Sequence, residues 1–204
     1  PVAVRSSALD EDGAAASFAG QHETYLNVVG AQAVAEAVAR CWASLRSARA
    51  AEYRRRQGLR SEAGIAVLVQ QLVPADASAV VFSANPVTGN PDEAVVNASW
   101  GLGESLVGGT TTPDTYVIRK RGLVLAARRI GAKERMTVLA PGGTREVDVP
   151  RLLRGRPSLT DAQALEMARL AISLERKLGY PVDVECAFHE GRLYLLQCRP
   201  ITTL

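Results

Sequence analysis

The sequence predicts an α+β fold with a largely antiparallel sheet and two long helices. Segments 31–56 and 160–178 repeat apolar residues at steps of three and four, which is the spacing of amphipathic helices. Most other segments are typical of short β-strands, because apolar and β-branched stretches alternate with Gly- and Pro-containing turns. Strands that follow one another through such short turns pair antiparallel.

The start of the chain predicts a strand, a loop and a helix. Residues 1–5 are a short β-prone stretch. Segment 8–24 consists largely of small residues and contains glycine, which predicts a loop with a role other than core packing. The helix predicted over 31–56 ends before Gly58. Its apolar face consists of residues at helical spacing, namely Val34, Val38, Cys41, Trp42 and Leu45.

The middle of the chain predicts a series of strands. They are IAVLVQQLV (65–73), AVVFSANPVTG (79–89, with a turn between Pro86 and Gly89) and AVVNASW (94–100). A tight loop at 101–103 leads into a short helical turn. A hairpin over 115–120 and 123–129 follows, and the Gly- and Pro-rich stretch 140–150 predicts an irregular edge.

The second long helix has clear signals at both ends. Thr160 and Gln163 have the spacing of a capping box, and Gly179 ends the helix. Its apolar face consists of Leu165, Ala168, Ile172 and Leu178.

The segment 182–199 predicts a β-hairpin around the three-residue loop His189-Glu190-Gly191. That loop places Asp183 opposite Gln197. Because side chains alternate along a strand, one face then carries the polar residues Asp183, Glu185, Gln197 and Arg199. The other face is predicted to be core and consists of Val182, Val184, Cys186, Tyr194, Leu196 and Cys198.

Two interpretations of this polar face are open at this point. One is a solvated face on which Arg199 pairs with an acidic neighbour. The other is a site for Mg²⁺ and phosphate, because the oxygens of Glu185 and Gln197 suit a hard cation that also binds phosphates. Arg199 suits the charge of a transferring phosphoryl group, and Arg5 with the Gly- and hydroxyl-containing loop after it adds phosphate donors.

Composition and charge exclude several classes of protein. The 204 residues are 47% hydrophobic and 22% charged with a net charge of +3, which is ordinary for a globular domain. The few aromatic residues do not interleave with the basic clusters at 54–56 and 119–121, so no nucleic-acid partner is expected. No apolar stretch reaches the length of a membrane span. Three cysteines without a C-x-x-C pair suit a reducing cytoplasm rather than a zinc site.

Six stretches of the chain carry a resemblance to a known family. They are AVRSSA (3–8), SFAGQHETYLN (17–27), VQQLV (69–73), NPVTG (85–89), SWGLGE (99–104) and DVE…LYLLQCRPITTL (183–204). In this order they resemble the ATP-binding module of the phosphoenolpyruvate synthase, pyruvate phosphate dikinase and rifampicin phosphotransferase family. The resemblance implies an ATP-grasp fold, of which residues 1–204 are the C-terminal portion. We therefore expect a partial nucleotide-binding domain in which the opening lobe and the phosphohistidine domain are absent.

The resemblance also implies roles for individual residues. Arg5 is implied to contact the phosphates, with Gly20 and Thr24 in the segment that closes over them. The adenine is implied to lie along Gln71, Leu72 and Val73. The D-x-E…Q-x-R pattern of the family falls on Asp183, Glu185, Gln197 and Arg199, with Glu185 and Gln197 as ligands of Mg²⁺ and with Arg5 and Arg199 as the catalytic cations.

The implied function is that of an ATP- and Mg²⁺-dependent phosphotransferase within a longer chain. The phosphoryl group would pass from ATP through a carrier histidine on another domain to pyruvate. The ending RPITTL leaves rifampicin as an alternative acceptor, and a non-catalytic nucleotide-binding module is a further alternative. Expected partners are ATP and the remaining domains of the parent chain, with no nucleic acid or membrane. The 204 residues alone are expected to be inactive, because the other lobe and the carrier are lacking.

Overall fold

A computed structural model describes residues 1–8, 12–13, 16–17, 24–44 and 65–201. The chain forms two compact units. Unit 1 consists of Pro1–Leu72 with Leu139–Thr144, and unit 2 of Val73–Val138 with Arg145–Leu204. The strands are mostly antiparallel and accompany helices, so the predicted α+β class is confirmed. Within the described residues, no helix is long and apolar enough to cross a membrane.

Unit 1 contains a three-stranded sheet, a short two-stranded sheet and a helix. Its described elements are β1 (Val2–Ala8), β2 (Asp12–Gly13), β3 (Ala16–Ser17), β4 (Thr24–Val28), α1 (Ala31–Ser44) and β5 (Ile65–Gln71). β1 lies between β4 and β5 and is antiparallel to both, while β2 pairs with β3. The strand predicted at 1–5 thus continues to residue 8, and two short strands lie within the predicted loop.

α1 packs against one face of the three-stranded sheet. Val4, Ala37 and Cys41 are fully buried in the small core between them. Because side chains alternate along a strand, Arg5 projects from the opposite face of the sheet.

The predicted apolar face of α1 is partly wrong. Trp42 is 56% exposed, because it follows the buried Cys41 directly and consecutive helical residues point about 100° apart. Leu45 and the rest of the helix predicted to residue 56 lie outside the described residues.

Unit 2 is built on a six-stranded antiparallel sheet in the order β13-β12-β6-β7-β8-β9. The elements that follow β5 are β6 (Ala77–Phe82), β7 (Glu93–Trp100), α2 (Glu104–Val107), β8 (Asp114–Arg119), β9 (Val124–Arg129), β10 (Arg135–Ala140), β11 (Gly143–Asp148), α3 (Arg151–Arg154), α4 (Asp161–Leu178), β12 (Val182–His189) and β13 (Arg192–Pro200). The predicted β8–β9 hairpin is confirmed. The edge predicted at 140–150 is instead part of a β10–β11 hairpin, in which Pro141 and Gly142 form the turn.

α4 begins and ends where its sequence signals predict. Gln163 N donates to Thr160 Oγ1 at 3.2 Å, and Thr160 N donates to Gln163 Oε1 at 2.9 Å, which completes the capping box. Gly179 ends the helix in the left-handed conformation. The predicted core residue Leu178 is 45% exposed in the last turn.

The two faces of the six-stranded sheet differ. α4 covers one face, which is core and includes Ala77, Ala79, Val81, Ala94, Val96, Ala98, Tyr116, Ile118, Val182, Val184, Cys186 and Phe188. The other face, here called the open face, carries the residues between these in sequence, among them Ser78, Val80, Phe82, Val95, Asn97, Thr115, Asp183 and Glu185. Segment 101–107 lies at one end of the open face, where Ser78 Oγ donates to Gly101 O at 2.8 Å.

Candidate functional site

The polar hairpin β12–β13 has a different turn from the predicted one. His189 pairs with Arg192, so the loop has two residues, Glu190 and Gly191, instead of three. Both have positive φ, at 50° and 75°, as in a type I′ turn, whose twist matches that of the strands. The predicted loop and the pairings derived from it are therefore wrong.

A β-bulge restores the polar face that a two-residue turn alone would disrupt. Without interruption, this register would place Gln197 opposite Val184, on the core face. Instead, Leu196 is an extra, unpaired residue in β13. Beyond the bulge, Gln197 lies opposite Glu185 on the open face.

The structure thereby brings four of the predicted site residues together. Asp183 lies opposite Arg199, and Glu185 lies opposite Gln197. Residues two apart on a strand share a face, so all four side chains project from the open face.

The core side of the hairpin differs from the prediction. Tyr194, predicted to be core, lies opposite Ala187 on the open face, and Leu193 packs against the core instead. Leu196, also predicted to be core, is the bulge residue. Both differences follow from the shorter turn, which moves the residues before the bulge to the other face.

Asp183 and Arg199 form an ion pair in the open face. Arg199 Nε donates to Oδ2 of Asp183 at 2.9 Å, and Arg199 Nη2 lies 2.8 Å from the same oxygen. Oδ1 of Asp183 is buried and accepts no hydrogen bond from the described residues. Burial raises the pKa of Asp183, and the charge of Arg199 offsets this only in part. The pair thus leaves one buried carboxylate oxygen without a hydrogen-bond donor among the described residues.

The side-chain oxygens of Glu185 and Gln197 suit a magnesium ion that takes its remaining ligands from outside the protein. Both are half-buried, and their side chains carry the oxygens that Mg²⁺ prefers. Among the residues described, no group of three or more His, Cys, Asp or Glu could hold a metal ion. An ion at Glu185 and Gln197 would therefore take its other ligands from water and phosphate, as Mg²⁺ does in nucleotide sites.

In unit 1, Arg5 and Thr24 lie opposite each other in the β1–β4 pair. Arg5 is half-buried and Thr24 is exposed. A guanidinium beside a hydroxyl provides donors suited to phosphate. Gly20, predicted to act with them, lies outside the described residues.

The predicted adenine segment runs from the end of β5 into unit 2. Gln71 is exposed, Leu72 is buried and Val73 is half-buried. Leu72 N donates to Pro1 O at 3.3 Å, so this backbone donor already has an acceptor within unit 1.

Gly101, the first residue of segment 101–107, has a structural explanation. Gly101 has φ of 74°, and a Cβ there would collide with the carbonyl oxygen of Thr137. That carbonyl accepts a hydrogen bond from Leu102 N at 2.9 Å. Only glycine allows this close approach of the two backbones.

Sequence reasoning overlooked two polar residues of the open face, Asn97 and Thr115. They lie opposite each other on β7 and β8, and Asn97 is also opposite Val80, the partner of Glu185. The alternation in AVVNASW already put Asn97 on one face of its strand. Its alignment with Glu185 depends on the pairing of three strands, which no local signal reveals.

Comparisons with known proteins bear on this arrangement. A family model described as pyruvate phosphate dikinase, AMP/ATP-binding domain, matches residues 1–204. Over its whole length the chain is 44% identical to a probable phosphoenolpyruvate synthase of Methanocaldococcus jannaschii and 46% identical to the phosphoenolpyruvate synthase of Pyrococcus furiosus. Over 99% of its length it is 47% identical to a rifampicin phosphotransferase of Streptomyces sviceus. The chain spans 17%, 26% and 23% of the lengths of these three relatives.

Proposed function

Because the chain belongs to the family of pyruvate phosphate dikinase AMP/ATP-binding domains, we propose that it binds ATP and Mg²⁺ within a longer phosphotransferase. Its α+β fold with mostly antiparallel sheets agrees with the ATP-grasp type that the sequence implied. The observation that carries the proposal is the opposition of Asp183 to Arg199 and of Glu185 to Gln197 on one face of a sheet. That face combines oxygen ligands for a hard cation with a guanidinium for phosphate.

Each residue of the face has a distinct task in this proposal. Glu185 and Gln197 hold the metal ion, which when bound neutralises negative charge on the phosphate oxygens. Arg199 binds the phosphoryl group and stabilises the charge that develops as it transfers. Asp183 orients Arg199 through the hydrogen bond from Nε and the ion pair with Nη2.

The proposal also gives residues of unit 1 and of the segment after it the roles that the resemblance implies. Arg5 acts as the second cation toward the phosphates, with Gly20 and Thr24 in the segment that closes over them. Gln71, Leu72 and Val73 line the adenine. Catalysis in this proposal comes mainly from positioning and electrostatic stabilisation.

The proposed acceptor is pyruvate, reached through a carrier histidine on another domain of the parent protein. Rifampicin is the alternative, because relatives of both names are about equally similar to this chain, at 44–47% identity. An assay of the full-length protein with ATP and either pyruvate or rifampicin distinguishes the two acceptors, because it identifies the phosphorylated product. Transfer to neither would favour the further alternative of a non-catalytic nucleotide-binding module.

The test of the site is Arg199→Ala in the full-length protein. We expect phosphoryl transfer from ATP to fall on the order of 10³-fold or more, as with other charge-stabilising arginines. Arg192→Ala is the matched control, because Arg192 lies on the same strand near the turn and contacts the ring of Tyr194 instead. Activity of Arg199→Ala within tenfold of wild type would reject the assignment.

The 204-residue chain alone is proposed to bind nucleotide weakly and to transfer no phosphate. Calorimetric titration of residues 1–204 with Mg²⁺ and ATP tests this. Tight, Mg²⁺-dependent binding by this segment alone would contradict it.

We also propose a reducing, cytoplasmic location for the protein. All three cysteines lie in the described part of the chain, and none forms a disulfide. Burial raises the pKa of Cys186 to about 12, which keeps this thiol protonated and unreactive at neutral pH.

A further inference from the structure

A continuous row of paired residues runs across the open face from the proposed metal ligands. Gln197 lies opposite Glu185, Glu185 opposite Val80, Val80 opposite Asn97, and Asn97 opposite Thr115. Directly paired residues project from the same side of a sheet. Asn97 therefore faces the same space as Glu185, two strands away.

The carboxamide of Asn97 is held in one orientation. Thr115 Oγ1 donates to Asn97 Oδ1 at 3.0 Å. Both residues are half-buried. A carboxamide nitrogen carries two donor hydrogens, and within the described residues Asn97 Nδ2 donates no hydrogen bond. Its donor side is therefore fixed in direction and available to a ligand.

The spacing of strands fits a ligand that extends beyond the metal. Adjacent strands lie about 4.8 Å apart, so the backbones at Glu185 and Asn97 are on the order of 10 Å apart. A nucleotide whose terminal phosphates lie at Glu185 and Gln197 continues into an α-phosphate and a ribose.

The neighbouring row that begins at Asp183 offers such a ligand no polar group on the same strands. There, Asp183 is followed by Phe82, Val95 and Val117, all apolar. Unpaired ligand oxygens are costly over an apolar surface. The row on the other side carries Ser78 and Ser99, of which Ser78 already donates to Gly101 O. The row through Asn97 therefore suits the sugar–phosphate part of the ligand better than the row through Asp183.

We propose that Asn97 is a nucleotide-binding residue whose Nδ2 donates a hydrogen bond to a ribose or α-phosphate oxygen of the bound nucleoside triphosphate. Thr115 is a positioning residue that holds the carboxamide through Oδ1. This inference rests on the proposed function, since it takes the terminal phosphates to lie at Glu185 and Gln197.

Asn97→Ala and Asn97→Asp in the full-length protein test the contact, with Mg²⁺-ATP affinity and steady-state kinetics as readouts. Asn97→Ala is expected to weaken binding about 10- to 100-fold if the acceptor is the charged α-phosphate, and about 3- to 10-fold if it is a neutral ribose oxygen. Asn97→Asp keeps the shape and the acceptor for Thr115 but replaces the donor with a negative charge, so its loss is expected to be larger. Binding by either variant within twofold of wild type would overturn the inference.

Thr115→Val and Thr115→Ser test the positioning role. Thr115→Val removes the hydroxyl donor and is expected to raise the KM for ATP about three- to tenfold, because the carboxamide loses its fixed orientation. Thr115→Ser keeps the hydroxyl and is expected to restore the wild-type KM. Thr112→Val is the matched control, because Thr112 is exposed in the loop before β8. Equal KM values for Thr115→Val and Thr112→Val would reject the positioning role.

Nucleotide analogues identify the oxygen that Asn97 contacts. If the loss caused by Asn97→Ala disappears with 2′-deoxy-ATP or 3′-deoxy-ATP, the partner is that ribose hydroxyl, and if it persists with both, the partner is the phosphate. Glu185→Gln separates this inference from the proposed function. Loss of Mg²⁺-ATP binding in Glu185→Gln with normal binding in Asn97→Ala rejects the inference alone, whereas normal binding in Glu185→Gln rejects the proposed function.

Discussion

Two carboxylate–cation pairs in unit 2 differ in how completely the protein satisfies them. Asp114 and Lys133 are fully buried, with both side chains 0% exposed. Asp183 and Arg199 lie in the open face, with side chains 9% and 25% exposed. Both pairs remove charge from water, yet only the first finds a partner for each carboxylate oxygen.

The Asp114 network is closed. Oδ1 of Asp114 accepts hydrogen bonds from Lys133 Nζ and Gly131 N, and Oδ2 accepts from the backbone and hydroxyl of Ser158. Lys133 Nζ also donates to Gly131 O at 2.9 Å. This carboxylate ties the start of β8 to the loops before β10 and α4.

The Asp183 pair is incomplete by comparison, because Oδ1 of Asp183 is buried with no donor among the described residues. Unsatisfied buried polar atoms are rare in folded proteins and concentrate at functional sites. A closed network stabilises the fold, whereas a buried carboxylate oxygen without a donor is an energetic cost that marks a candidate functional pair. The comparison therefore separates a structural ion pair from a candidate binding pair of the same chemical type.

The substitution with the largest expected effect is Asp114→Ala, which tests whether the closed network stabilises the fold. The variant leaves the buried Lys133 without its counter-charge and two backbone N–H groups without an acceptor, and we expect a loss of about 3–5 kcal/mol in the free energy of unfolding. Urea unfolding of the full-length protein measures it. Asp92→Ala, at an exposed position, is the control and should stay within about 0.5 kcal/mol of wild type. A loss below about 1 kcal/mol in Asp114→Ala would show that the network does not stabilise the fold as described.

Asp183→Asn should have a smaller effect on stability, below about 1.5 kcal/mol, because the amide oxygen still accepts hydrogen bonds from Arg199. Its pH dependence is the sharper readout. Burial raises the pKa of Asp183 above its usual 3.8, so the folded state binds this proton more tightly than the unfolded state. The stability that the protonated group contributes is present below pH 3.8 and is lost as the pH rises through the raised pKa.

Urea unfolding at a series of pH values measures this effect. Asparagine does not titrate, so the stability of wild type relative to Asp183→Asn should fall as the pH rises across that range. A difference that stays constant, or grows with pH, would mean that Arg199 rather than burial controls the carboxylate.

The smallest expected effect concerns the turn of the hairpin that carries Asp183 and Arg199. Glu190 has φ of 50°, a conformation that asparagine adopts more readily than glutamate. Glu190→Asn should therefore stabilise the protein by on the order of 0.5 kcal/mol and leave ATP affinity unchanged. Thermal unfolding measures the gain, and a lower midpoint would argue against the two-residue turn.

Local features of the sequence determined the elements and the set of polar residues. The capping box of α4 and the alternation in β12 involve neighbours a few residues apart, so propensity and periodicity were sufficient to predict them. Alternation within each strand placed Asp183 with Glu185 and Gln197 with Arg199, whereas the position of the two pairs on one face depends on the bulge in β13.

How these elements pair, and which of the two carboxylates has a partner for each oxygen, depends on the tertiary structure. The bulge at Leu196, the alignment of Asn97 with Glu185 and the burial of Lys133 against Asp114 each join residues from different strands or loops. Strand register changes by one residue with the length of a turn or the presence of a bulge, and each such change moves side chains to the other face. Packing of the whole sheet selects among these registers. The short-range pattern along the chain therefore could not predict which register forms.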